Sequence, residues 1–172
     1  FVYGGKGEVT GPARGAARKD THVAVMFPGN TINIDFPLDK LSRTALTLPG
    51  DYRGGDVVFF TGQSFTYPND KRQVYGGKGK VTGPARVAEL KDTHVTAMFP
   101  GNNGDLDCFH DDLSRTAPTL PCDYRGGDVV LFTGRSYTYS SGARLVYGGK
   151  GEVTGPARVA ALKNTHVAVM FT

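Results

Sequence analysis

Residues 2–73 and 74–145 align without a gap and are identical at 48 of 72 positions. A third copy runs from Val146 to Thr172, and Val-Tyr-Gly-Gly-Lys-Gly opens each copy at 2–7, 74–79 and 146–151. No other feature constrains the fold as much. Each copy must form the same supersecondary unit, and neighbouring units must bury between them what one unit cannot bury alone. A unit of about 65 residues buries only about 60% of the surface its unfolded chain exposes, so contact between units matters for stability.

Within the unit the apolar runs are too short for helices. Val57-Val58-Phe59-Phe60-Thr61 is a β-branched and aromatic run bounded by Gly54-Gly55 and Gly62, which predicts a strand. Gln73-Val74-Tyr75 and Gly79-Lys80-Val81-Thr82 predict two more, the second stopped by Gly83-Pro84. Residues 85–92 have room for one helical turn and no stable helix. His94 to Phe99 predicts a further strand, Pro100-Gly101-Asn102-Asn103-Gly104 a turn, and Asp105 to Phe109 a last strand, with Leu113 closing the core. Thr116 to Cys122, holding Pro118 and Pro121, fits an extended linker. Val57, Phe59, Val81, Val95, Leu106 and Leu113 are the expected core. The 24 glycines and 10 prolines of the chain suit many short strands and tight turns.

Gly55-Asp56-Val57-Val58, Gly79-Lys80-Val81-Thr82-Gly83-Pro84, Val95 to Gly101 and Leu113 together resemble SH3-like barrels of the KOW or mind-bomb-repeat type. The resemblance implies an all-β chain of tandem small SH3-like β-barrels at a 72-residue repeat. On that frame residues 1–49 are a partial repeat lacking its first strand. Residues 50–121 hold a complete repeat, 51–116, plus its linker. Residues 122–172 are a partial repeat lacking its last strand. Both partial repeats are expected to need a cover, from further chain, from each other or from a partner, with further chain favoured.

The chemistry-bearing residues are sparse. Gly4-Gly5-Lys6-Gly7 and its copies are either a tight turn leading into a strand or a backbone cradle for phosphate; the spacing is not that of a P-loop. His22, His94 and His166 recur once per unit without a second ligand at metal spacing. Asp105, Asp107, Cys108, His110, Asp111 and Asp112 form the best metal candidate, yet residues 33–40 keep only Asp35 and Asp39 of it. No serine stands in a Gly-x-Ser-x-Gly context. Cys108 and Cys122 are too few for a disulfide framework.

These absences point away from an enzyme, a cofactor or a small-molecule substrate. The expected function is a non-enzymatic structural or interaction protein, a repeat-array scaffold or accessory subunit docking onto protein partners in a larger assembly. The net charge of +4 and the KOW resemblance keep nucleic-acid binding as the alternative. Candidate anion or partner contacts are Lys6, Lys78, Lys80 and Lys150, with Tyr75 and Tyr147. Tyr3, Phe65, Tyr67, Tyr137 and Tyr139 are further candidates for stacking. No apolar run reaches the roughly 18 residues a membrane span needs.

Overall fold

The computed structural model describes residues 3–44 and 46–172; Val2, the first residue of the repeat motif, lies outside them. The chain is all-β, and the only helices among the described residues are 3₁₀ turns of three residues, including Ala88–Leu90. The expected helical turn in 85–92 is therefore one turn and no more. No helix among the described residues is long and apolar enough to cross a membrane.

Three sheets follow one another along the chain. The first has β1 (Glu8–Pro12), β2 (His22–Met26) and β3 (Ile34–Pro37). The central stretch holds β4 (Val57–Phe60), β5 (Phe65–Thr66), β6 (Arg72–Gln73), β7 (Lys78–Pro84), β8 (His94–Met98), β9 (Leu106–Phe109) and β10 (Leu113–Ser114). The last holds β11 (Val129–Leu131), β12 (Tyr137–Thr138), β13 (Arg144–Leu145), β14 (Lys150–Pro156) and β15 (Val167–Phe171). The sheet orders are β1-β2-β3, β10-β4-β7-β8-β9 and β11-β14-β15, all antiparallel, with the hairpins β5-β6 and β12-β13 beside them.

Four of the expected strands, β4, β7, β8 and β9, lie in the central sheet. Its fifth is β10, where only a closing turn was expected, while the strand expected at Gln73-Val74-Tyr75 is reduced to β6, paired with β5 outside this sheet. No ladder joins β9 to β10, so the sheet is not closed into a barrel. Its two edges are instead linked in sequence by one 3₁₀ turn, His110–Asp112, which carries the chain from β9 to the β4 side. The core comprises Leu48, Tyr52, Val58, Phe60, Val81, Val95, Ala97, Phe99, Leu106, Cys108 and Leu113. Tyr52 donates its hydroxyl hydrogen bond to the Leu113 carbonyl at 2.8 Å inside this core, tying the first residues of the unit to its last strand.

Two expectations need correction. Val57 and Phe59 were expected inside, yet Val57 is exposed and Phe59 half-buried, while Val58 and Phe60 are buried. The run Val-Val-Phe-Phe has no polar member to mark a face, so alternation alone cannot set its register. The ladder sets it: Val58 faces Gly79, and a Cβ at Gly79 would sit 2.7 Å from the Phe99 ring. That missing side chain makes the space in which Phe60 and Phe99 meet edge to face, 6.4 Å between centroids. Secondly, Leu120 falls in the stretch read as linker and Leu48 in the partial repeat 1–49, outside the central unit, but both are buried, Leu48 in the central core and Leu120 with Val153. The linkers are part of the units they precede.

Candidate interaction surfaces

The repeat motif is a structural device. Gly76 and Gly148 turn with φ near +76° and +78°. The Gly76 amide donates to Phe60 C=O at 2.7 Å and the Gly77 amide to Val74 C=O at 2.8 Å. The Gly148 and Gly149 amides repeat this on Phe132 and Val146. Backbone donors committed to carbonyls of the same unit are not available to cradle a phosphate. The final glycine of the motif gives room to an aromatic ring, as Gly79 does for Phe99 and Gly151 does for Phe171.

The histidines and the acidic hairpin resolve similarly. Thr21, Thr93 and Thr165 each hold the following histidine by Oγ1···Nδ1 contacts of 2.8 Å. Asp107 accepts the Arg86 amide at 3.2 Å, as Asp35 accepts the Arg14 amide, so this aspartate braces the same loop in two copies. Asp105 pairs with Arg86 and His110 with Asp111. The Cys108 thiol is buried and accepts a hydrogen bond from Gln73 Nε2 at 2.9 Å. Burial pushes its pKa up to about 12, with Gln73 pulling the other way and Asp107 and Asp112 adding to the rise. Cys122 is exposed and the two cysteines are unbonded. Among the described residues no three His, Cys, Asp or Glu side chains gather as a metal site.

The lysines lie on the outer faces of the sheets. Along β7, Lys78 and Lys80 are exposed and alternate with buried Gly79 and Val81. Across the ladder Lys80 stands between Val57 and Met98, both 47% exposed. One repeat later Glu152 stands in the same register between Val129 and Met170, which are 61% and 62% exposed. Leu131, also exposed, is opposite Lys150. Lys6, exposed, precedes β1, where Glu8 faces Met26. The central and last sheets thus turn outward a small patch with apolar flanks and charge in its middle, whereas in the first sheet Glu8 lies on the edge strand beside half-buried Met26.

The tyrosines separate sharply. Tyr75 is 9% exposed and belongs to the core of the following repeat, with Leu120 and Val153. A Cβ at Gly126 would collide with the Tyr75 carbonyl, and one at Gly155 would lie 3.4 Å from the Tyr75 ring. Tyr3 makes the same two approaches, to Gly54 and Gly83, one repeat earlier. Around Tyr75 the joint is polar. The Ser64 amide donates to Thr154 C=O at 2.7 Å and Gln63 Nε2 to Pro156 C=O at 2.8 Å. Thr154 Oγ1 donates to Gln63 Oε1 at 3.3 Å, and Arg72 pairs with Glu152. A crevice of about 450 Å³, lined by Tyr75, Pro118, Tyr124 and Arg125 among others, marks the seam. Tyr147, the third copy of this tyrosine, is 71% exposed.

Spacing alone did not reveal the joint. A signal for it does exist in the sequence: Tyr, Gly54-type and Gly83-type positions are kept in every copy that contains them. Comparison with protein-family models, with curated proteins and with solved structures gave no match.

Proposed function

We propose that the chain is a non-enzymatic repeat-array scaffold of SH3-like units, which docks onto protein partners through its outward patches. The observation that carries this reading is the shared register of Val57–Lys80–Met98 and Val129–Glu152–Met170. A joint that fixes neighbouring units presents such patches at a set spacing, and two weak contacts at a set spacing act together far more strongly than either alone. The order of the central unit supports the SH3-like description. A long loop with a hairpin separates β4 from β7, three strands follow as a meander, and a 3₁₀ turn leads to a short strand paired with β4. The patches are mixed in charge and flanked by Val, Leu and Met, a composition suited to protein surfaces more than to a phosphate backbone.

The test is cross-linking from Lys78, Lys80 and Lys150 in the native assembly. The scaffold reading expects the same partner at equivalent positions of successive repeats, with loss of capture on Met98→Asp combined with Met170→Asp. Salt-steep oligonucleotide binding well tighter than the roughly 10⁻⁴–10⁻⁶ M of non-specific association, abolished by Lys78→Glu with Lys80→Glu, would replace it with the nucleic-acid reading.

A further inference from the structure

The turn between β8 and β9 carries a dipeptide that the fold does not require. Of the asparagines in the chain, only Asn103 is followed by glycine. Asn30 and Asn164 precede threonine, Asn33 precedes Ile34, Asn69 precedes Asp70, and Asn102 precedes Asn103 itself. Where the central repeat has Asn103-Gly104, the first repeat has Thr31-Ile32. Both repeats nevertheless close the turn with the same bond. The Asn30 amide donates to Phe27 C=O at 3.1 Å and the Asn102 amide to Phe99 C=O at 3.3 Å.

The two neighbouring asparagines are held very differently. Asn102 is tied to the hairpin β5-β6: its Oδ1 accepts the Arg72 amide at 2.7 Å and its Nδ2 donates to Arg72 C=O at 2.8 Å. The Asn103 side chain is exposed and has no hydrogen bond among the described residues. Gly104 sits at φ +94°. Its amide donates to Asn102 C=O at 3.1 Å, inside the same turn, so motion of the turn alone frees it. With no side chain on Gly104, nothing on that residue shields its nitrogen from the Asn103 side chain.

We propose that Asn103 is a site of spontaneous covalent modification, and that its product loosens the joint between the central and last repeats. A bond forms between Gly104 N and Asn103 Cγ, and the Cγ–Nδ2 bond breaks. Nδ2 leaves as ammonia, taking the proton that the Gly104 nitrogen gives up. Water then opens the cyclic imide at either carbonyl, leaving aspartate or isoaspartate, and nothing is oxidised or reduced. The product carries a new negative charge close to Lys71, whose Nζ lies 3.8 Å from where a Gly104 Cβ would be. In the isoaspartyl form the backbone is one methylene longer between two anchors of the hairpin. One anchor is Asn102; the other is Asp105, whose carbonyl accepts Lys71 Nζ at 3.1 Å. The same hairpin carries the joint, through Arg72 on Glu152 and the Ser64 amide on Thr154 C=O. A change in charge and length at the turn therefore reaches β14 through β6.

The chain of residues 1–172, aged in neutral and in mildly alkaline buffer, tests both parts. Mass spectrometry of the tryptic peptide 92–115 should show loss of the amide at Asn103 ahead of any loss at Asn102 or the other asparagines. The loss should quicken at the higher pH, where the attacking nitrogen is more readily deprotonated, and an isoaspartyl methyltransferase should label the product. Thr31→Asn with Ile32→Gly should create a second such site in the first repeat, and Asn103→Thr with Gly104→Ile should remove the one in the central repeat. Amide hydrogen exchange of the aged chain should show loss of protection in β6 and β14, and the Asn103→Thr, Gly104→Ile chain, aged alike, should keep it. If Asn103 retains its amide as long as the other asparagines do, the site is overturned. Modification that leaves exchange in β6 and β14 unchanged overturns the effect on the joint.

Discussion

The carbonyl and Cβ of Tyr75 occupy the space that a side chain on Gly126 would need, and Tyr3 stands in the same relation to Gly54. One residue type at a spacing of one repeat thus inserts each unit into the next. The last unit depends on the insertion: its buried core is Tyr75, Leu120 and Val153, with Val130, Val167 and Val169 packed around them. Of these six, Tyr75 comes from the preceding repeat.

Tyr75→Ala should therefore destabilise the last unit more than the central one. Truncating a buried aromatic side chain costs about 3–5 kcal/mol, a large share of what a unit of this size holds. Amide hydrogen exchange is the readout. Residues in β14 and β15 should lose protection while those in β7 and β8 keep theirs.

Gly126→Ala adds a methyl group against backbone, where nothing flexible can yield. A cost of about 1–3 kcal/mol is expected, again confined to the last unit. Gly15→Ala, where a Cβ would meet nothing within 4 Å, should fall within about 0.5 kcal/mol of no effect. Chemical denaturation of the two variants measures the difference.

The corrected register of β4 gives a paired test. Val58 is fully buried and Val57 is 47% exposed. Val58→Ala should cost about 2 kcal/mol from lost burial and the cavity left behind, and Val57→Ala almost nothing. Equal effects would return Val57 to the core.

Cys108 supplies a pH dependence. Its folded pKa of about 12 lies above the usual 9.0 because burial disfavours the thiolate. The folded chain then holds a proton that the unfolded chain releases above pH 9.0. This contribution is intact below that pH and is lost as pH rises towards 12. Thiol labelling near pH 8 should modify exposed Cys122 quickly and Cys108 only as the fold opens.

Much of this was legible in the residues. The repeat, the short strands, the Pro-Gly turn and the closing role of Leu113 follow from spacing and composition. Val81, Val95, Leu106 and Leu113 are buried as expected; Val81, Leu106 and Leu113 alternate with polar neighbours that mark the outer face, whereas Val95 sits in a strand whose next two residues, Thr96 and Ala97, are buried as well. Val57 and Phe59 went the other way because their run has no such marker. Cross-strand partners decide its register, and those are long-range facts. Tyr75 was legible only as an aromatic residue beside a glycine turn, a description that Tyr147 shares. Tyr75 is buried because Leu120, Val153 and the bare backbone at Gly126 receive it, and those partners are brought to it only by the fold of the following repeat.

The insertion of Tyr75 should hold neighbouring repeats in one fixed orientation. Residual dipolar couplings measured on residues 51–114 and 124–171 of the same chain test it most directly. The account predicts that both sets fit one alignment tensor, and that Tyr75→Ala splits them into two. Two different tensors in the unsubstituted chain would contradict it.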